Sequence, residues 1–169
     1  SVTNLNISCS NIYAFQDGLA KFQNNNFYGL IGKDGSIRLP AEFTSISSFK
    51  NGYAQVAKGS KFGFVDENGS VVVEPQFEEV SDFSTNGLAA VKVGSKWGVI
   101  NSSGKIVTEP QFDAVYGLYN GLMRVRKGSS YGFLKSDGSL LSGCNYNNAY
   151  DFSDGYAAVQ KGSTWGLID

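Results

Sequence analysis

GLAAVKVGSKWGVINSSGKIVTEPQFDAV, residues 87–115, holds one full cycle of an all-β unit and decides how the rest of the chain is read. Its opening GLAAVKV puts Ala89 and Val91 on one side of an alternating pattern, and a period of two marks a strand. Gly94 supplies a tight turn that needs positive φ, KWGVIN follows as a second strand, and SSGK forms a second turn. A third strand then runs to the Glu109-Pro110-Gln111 corner, beyond which a short fourth strand is expected. Proline suits a corner because it has no N–H to give a paired strand.

The same landmarks recur outward in both directions. An aromatic followed by glycine stands at Tyr28-Gly29, Phe62-Gly63, Trp97-Gly98, Tyr131-Gly132 and Trp165-Gly166, at spacings of 34, 35, 34 and 34. Seven residues after the first four aromatics come Gly35, Gly69, Gly104 and Gly138, and fifteen after them Phe43, Phe77, Phe112 and Tyr146. The stretches NGYAQV, NGLAAV, NGLMRV and DGYAAV repeat the first strand, and FQDGLAKF (15–22) supplies a fifth copy. One extra residue, near Thr85 or Asn86, explains the single longer spacing. Self-similarity at a fixed period is the signature of a repeat architecture. The aromatic-glycine pair reads as packing, a large ring lying across a glycine that leaves room for it. The Ala-x-Val strand reads as core in the same way.

These residues resemble the bacterial WG repeat, whose units carry a pattern like G-x-KWG-[FYVL]-ID-x-x-G-x-x-V-x-x-P-x-[FY], and the resemblance runs end to end. Only two units keep tryptophan, Cys144 replaces the proline found as Pro40, Pro75 and Pro110, and Asn25 replaces a turn glycine. The resemblance implies repetition rather than one activity. Members of that family are commonly surface, secreted or multidomain proteins with no shared enzymatic chemistry. It leaves the compartment open, with a secreted, periplasmic or cell-surface location favoured over the cytoplasm.

Five units of this kind are expected to form a single all-β repeat domain over 1–169, a closed five-bladed β-propeller of four-stranded blades. The alternative is an open β-solenoid. Open arrays need polar caps, whereas a propeller closes on itself. Aligning Cys9 with Phe43 makes residues 1–12 look like the third and fourth strands of a unit whose first two are supplied by 155–169. Closure would then pair TWGLID with VTNLNI. On that closure Cys9 and Cys144 fall in neighbouring blades, as a disulfide or as two unpaired small hydrophobes.

Composition narrows the function. Twenty-one glycines, three prolines and 14% aromatic residues in 169 suit many short strands. A net charge of −1 gives no field for gripping nucleic acid. With no histidine and two cysteines, neither a common zinc site nor a Ser-His-Asp or Cys-His relay can be assembled, and no metal or cofactor is expected. No apolar run reaches the roughly 18 residues that span a bilayer, and SVTNLNISCS has neither the basic start nor the apolar stretch of a targeting segment. A non-enzymatic monomer is the expectation.

In a repeat protein the residues that break the period are the candidates for function. Tyr13, Tyr116, Tyr119 and Tyr150 stand in loops between units where other copies carry serine, aspartate or glycine, and tyrosine there offers flat contact area for peptides or sugars. The same edge carries Asp82, Asp151 and Asp154, together with Asp17, Asp34, Asp66 and Asp137, and should be acidic. The opposite edge, with Lys58, Lys61, Lys96, Lys127 and Lys161, should be weakly basic. The plainer reading of both is solvated turn residues that keep strand edges soluble. Arg124 and Arg126, two cations in one inner strand, are a further exception. A protein-interaction scaffold using one face of the ring fits this pattern best. A lectin-like module for glycan or cell wall is the alternative, disfavoured because no polar cleft residue recurs in every copy.

Overall fold

The computed structural model describes residues 7–119 and 122–169. All the named elements are strands, and the chain divides into two compact units, Ser1–Glu78 and Glu79–Asp169.

The first unit holds two antiparallel meanders. The first sheet is β1 (Asn11–Gln16), β2 (Leu19–Asn24), β3 (Phe27–Gly32) and β4 (Ile37–Phe43), in that order. The second is β5 (Ser45–Ile46), β6 (Tyr53–Lys58), β7 (Lys61–Asp66) and β8 (Val71–Phe77). In the second unit the third sheet is β9 (Glu79–Val80), β10 (Leu88–Val93), β11 (Lys96–Asn101) and β12 (Ile106–Phe112). The fourth is β13 (Ala114–Tyr119), β14 (Leu122–Lys127), β15 (Ser130–Leu134) and β16 (Leu140–Tyr146). The fifth has three strands, β17 (Asn148–Ala149), β18 (Ala157–Lys161) and β19 (Thr164–Ile168).

The hairpins follow the turn residues. Gly59, Gly94, Gly128 and Gly162 have φ of 60–62°, and Asn25 fills the same place in the first sheet at φ 52°. Asparagine is among the few residues that enter this left-handed region at low cost, so its substitution for glycine leaves the hairpin intact.

Two expectations from the sequence need correction. The short strand after the proline does not continue its own sheet; β5, β9 and β17 each pair with the strand that follows them, so the sheet boundary falls one strand earlier. The prolines are not corners either. Pro75 and Pro110 lie inside the edge strands β8 and β12, where the register slips: Trp97 pairs with Phe112 but Val99 with Thr108, which leaves extra residues bulged around Pro110. An edge bulge is a place where proline's missing N–H breaks no ladder.

That bulge explains the glycine of each aromatic-glycine pair. A Cβ on Gly98 would stand 2.5 Å from the Thr108 carbonyl oxygen and 2.8 Å from the Pro110 nitrogen. At Gly98 the β12 backbone, rather than an aromatic ring, occupies the space the glycine leaves; Gly63 and Gly132 meet the same crossing, and Gly29 meets it together with the Phe22 ring, 2.7 Å from its Cβ position.

The core is built where consecutive sheets stack. In the first unit Leu30, Leu39 and Phe43 of the first sheet pack on Ile46, Ala54, Val56 and Val65 of the second. In the second unit Leu88, Val99 and Phe112 meet Met123, Val125 and Leu134, and Phe133 meets Ala149, Ala157 and Val159. The alanines, valines and phenylalanines that recur along the strands are thus consumed in burial, which dominates the stability of a fold of small sheets. Buried Thr108 donates from its hydroxyl to the Gly138 carbonyl (2.5 Å), tying the third sheet to a turn of the fourth.

Residues 7–10 repeat this packing at the start of the first unit. Ile7 and Cys9 lie against Ala20, Phe22 and Ile31, the counterparts of Ala54, Val56 and Val65. The Ser10 N–H donates to the Gln23 carbonyl as that of Thr44 donates to Ala57, both at 2.8 Å. Residues 7–10 thus lie against the first sheet as the end of β4 lies against the second. In the fifth sheet Leu167 is 70% exposed, although its counterparts Leu30, Phe64, Val99 and Phe133 are at most 2% exposed. The expected pairing of β19 with residues 2–7 falls, except for Ile7, outside the described residues.

Candidate functional site

The period-breaking tyrosines share one structural position. Tyr13 lies in β1, Tyr116 in β13 and Tyr150 just after β17, each beside the first long strand of its sheet. In the second and third sheets the place belongs to Ser47 and Ser81, whose hydroxyls accept from the backbone N–H groups of Gln55 and Ala90 (both 2.9 Å). Where tyrosine replaces serine, its ring turns onto the aromatic of the aromatic-glycine pair. Tyr13 meets Tyr28 at 6.2 Å and 49°, Tyr116 meets Tyr131 at 6.5 Å and 38°, and Tyr150 stacks on Trp165 at 5.7 Å and 22°. A hydrogen bond with the Tyr13 side chain raises the Tyr28 phenol above its usual pKa. The side chain of Tyr119 lies outside the described residues.

In two of the three pairs a cation lies over both rings. The Lys21 ammonium is 4.9 Å from the Tyr13 centroid and 5.1 Å from that of Tyr28, and it donates to the Ile46 carbonyl (3.4 Å). The Arg124 guanidinium is 4.4 Å from Tyr116 and 5.5 Å from Tyr131, and it donates to the Ala149 carbonyl (2.6 Å) and to Asp151 (2.8 Å). Ring faces are the negative side of an aromatic, so each cation is held from two directions. The sequence singled out Arg124 and missed Lys21, although both stand seven residues before the aromatic of their unit. Tyr13 and Lys21 line a cavity of about 310 Å³ together with Leu19, Leu30, Ile46 and Phe49.

The charged residues separate into spent and available groups. Asp34 and Asp137 accept from the N–H and hydroxyl of Ser36 and Ser139, and these hydrogen bonds hold both carboxyls below their usual pKa. Asp66 accepts from the N–H groups of Asn68 and Ser70 in the same way. These acids shape their own turns. On the other edge Lys58 pairs with Glu42, Lys61 with Glu78 and Lys96 with Asp113, so the expected basic character is locally neutralised. Asp151 is held by Arg124, Asp82 is half-buried, and Asp154 sits exposed in a turn at φ 51°.

Cys9 and Cys144, considered above as a disulfide pair, are both free thiols, each packed in a cluster of its own unit. Burial raises the pKa of the Cys144 thiol.

Small antiparallel sheets of one repeated design, stacked face to face, define a β-repeat protein whose variable residues lie at the sheet ends. More particularly, the chain belongs to the family of the WG containing repeat, which matches residues 28–62, 62–97, 97–130 and 131–169. No curated protein matches the chain significantly. Among solved structures it is similar to a eukaryotic initiation factor, at 10% identity and a TM-score of 0.49, over 97% of this chain and 52% of that one. It is also similar to Kluyveromyces lactis Hsv2p, at 14% identity and a TM-score of 0.44, over 89% and 58%. A plant lectin from Cicer arietinum aligns at 10% identity with a TM-score of 0.29, over 90% and 93%. The chain thus spans about half the length of the first two.

Proposed function

We propose that the chain is a non-enzymatic interaction module that holds a protein partner through its tyrosine-bearing edge, on five sheets arranged as the blades of a closed ring. The observation that carries the binding reading is the division of labour between residues. The alanines, valines and phenylalanines that keep the period in the strands, such as Ala54, Val56, Phe77, Ala89, Val91 and Phe112, are buried between sheets, while the three tyrosines that break it recur at one structural position, with Tyr13 38% and Tyr150 59% exposed. Tyrosine contributes large contact area at little conformational cost, which is why binding surfaces use it. The absence of histidine removes the commonest general base, and the turn acids are engaged in their own hairpins.

Ring closure draws support from residues 7–10, seated on the first sheet as the end of a neighbouring third strand, and from the uncovered face of the fifth sheet. Closure would require the segment before Ile7 to complete that sheet beside β19. Binding is tested by panning a random peptide library and a glycan array against the same preparation. Selected peptides whose binding falls when Tyr116 or Tyr150 becomes alanine support the reading. Saccharide binding near five per chain, with no peptide selected, replaces it with the lectin.

A further inference from the structure

We infer that the Tyr150–Trp165 pair is a receptor for a basic side chain, arginine or lysine, presented by the protein partner; the inference rests on the interaction-module reading and gives it a ligand chemistry. Three sheets carry the same aromatic pair, and two of them complete it from within. Lys21 and Arg124 lie over their rings from the position seven residues before the second aromatic. In the fifth sheet that position is Ala158. Among the described residues no lysine or arginine lies over Tyr150 or Trp165, so the site is built and its cation is left out.

The geometry of the rings agrees with that omission. Around Lys21 and Arg124 the pairs stand open at 49° and 38°, whereas Tyr150 and Trp165 have closed onto one another at 22°. Two rings without a charge between them gain more by stacking, and an entering cation exchanges that stack for contact with two negative faces. Tyr150 and Trp165 are 59% and 47% exposed, which leaves the pair open to a partner. Asp151, next to Tyr150, is already held by Arg124, so the ring faces themselves carry the attraction; Asp154 lies exposed in the turn between β17 and β18, with no ion pair of its own among the described residues. A fourth strand beside β19 does not abolish the site, because Tyr13–Tyr28 and Tyr116–Tyr131 hold their cations in sheets that already have four strands.

A saccharide would also stack on Trp165, but the Lys21 and Arg124 precedents within the chain favour the cation. Its removal from water by two rings is what gives such contacts their strength.

The probe is a tetra-arginine peptide, with tetra-glutamine and a chitin or cellulose oligosaccharide as controls. It is titrated into the full chain at physiological salt by calorimetry and by tryptophan fluorescence. Saturable binding of tetra-arginine alone is expected. Tyr150→Leu should weaken it about tenfold. Ala158→Arg should abolish it by filling the position from within, while Asp154→Asn lowers the affinity only modestly. Thermal unfolding of each variant shows that it is folded. Ala158→Arg is the safest of these, since the first and fourth sheets accept a long cation at that place. Tetra-arginine binding Tyr150→Leu and Ala158→Arg as tightly as the parent would overturn the inference, since attraction would then be to the acidic edge alone. A response to the oligosaccharide in place of the peptide would also overturn it. If library panning selects peptides without basic residues that ignore Ala158→Arg, the cation receptor fails and the interaction module stands. If neither peptide nor glycan is captured, both fail.

Discussion

Replacing Gly98 and Gly166 by alanine, one at a time, puts the glycine argument and the ring to the same test. At Gly98 the new Cβ would lie 2.5 Å from the Thr108 carbonyl oxygen, whereas ordinary contact begins near 3.4 Å. The bulged strand must therefore retreat by close to an ångström, and Pro110, with its fixed ring, resists. Overpacking of this kind costs about 1–3 kcal/mol. Alanine would otherwise be favoured over glycine in a strand by roughly 0.5–1 kcal/mol, which offsets part of it. A net loss of about 1 kcal/mol corresponds to a fall in Tm of about 2–4 °C for a chain of this size. Gly166 is the equivalent residue of the fifth sheet, and among the described residues nothing lies within 4 Å of its Cβ position. A closed ring in which the N-terminal segment covers β19 requires Gly166→Ala to destabilise as Gly98→Ala does. An open edge makes it neutral or slightly stabilising. Thermal unfolding followed by circular dichroism reads both. An unchanged Tm for Gly98→Ala refutes the strand-crossing account, and an unchanged Tm for Gly166→Ala alone refutes closure.

Other expectations follow from single contacts. Phe112, 2% exposed and packed against the fourth sheet, should cost about 3–5 kcal/mol as alanine in denaturant unfolding. Arg124→Ala removes two ring contacts and two hydrogen bonds from a largely buried side chain, and should destabilise more than Lys21→Ala, whose one hydrogen bond is 3.4 Å long. Asp34, Asp113 and Asp137 all have folded pKa values below those of the free side chain, Asp113 chiefly through Lys96 and the Gly128 N–H. Their contribution is fully present above the unfolded carboxylate value of about 3.9 and is lost as pH falls through the lower folded values. The Tm should therefore stay level from neutral pH to about 5 and drop below about 4, with Asp113→Asn flattening part of that drop. A thiol reagent applied to unreduced, denatured protein should titrate two cysteines, and in the native protein Cys144 should react slowly because burial raises its pKa.

The sequence by itself determined whatever depends on neighbours along the chain. A period of 34 residues, alternation in strands such as Leu88–Val93, and left-handed turn residues such as Gly94 and Asn25 are local facts of sterics and spacing, and they fixed the strands, the hairpins and the family. Only the tertiary structure decided which sheet each short strand joins, because β9 stands between β8 and β10 and its two residues do not say which it pairs with; Val80 pairs with Val91 and Glu79 with Lys92 of β10. It also decided that Gly98 makes room for a bulged backbone rather than a ring. The candidate site divides along the same line. Tyr13, Tyr116 and Tyr150 stood out as breaks in the repeat, but their meaning rests on partners outside their own strands: Tyr28, Tyr131, Trp165, and the cations Lys21 and Arg124. The hydrogen bonds that commit Asp34 and Asp137 to their turns are short-range, yet only geometry separates them from Asp154, whose carboxylate makes no such bond among the described residues. Periodicity records what the strands share, whereas recognition depends on how one sheet departs from its neighbours in three dimensions.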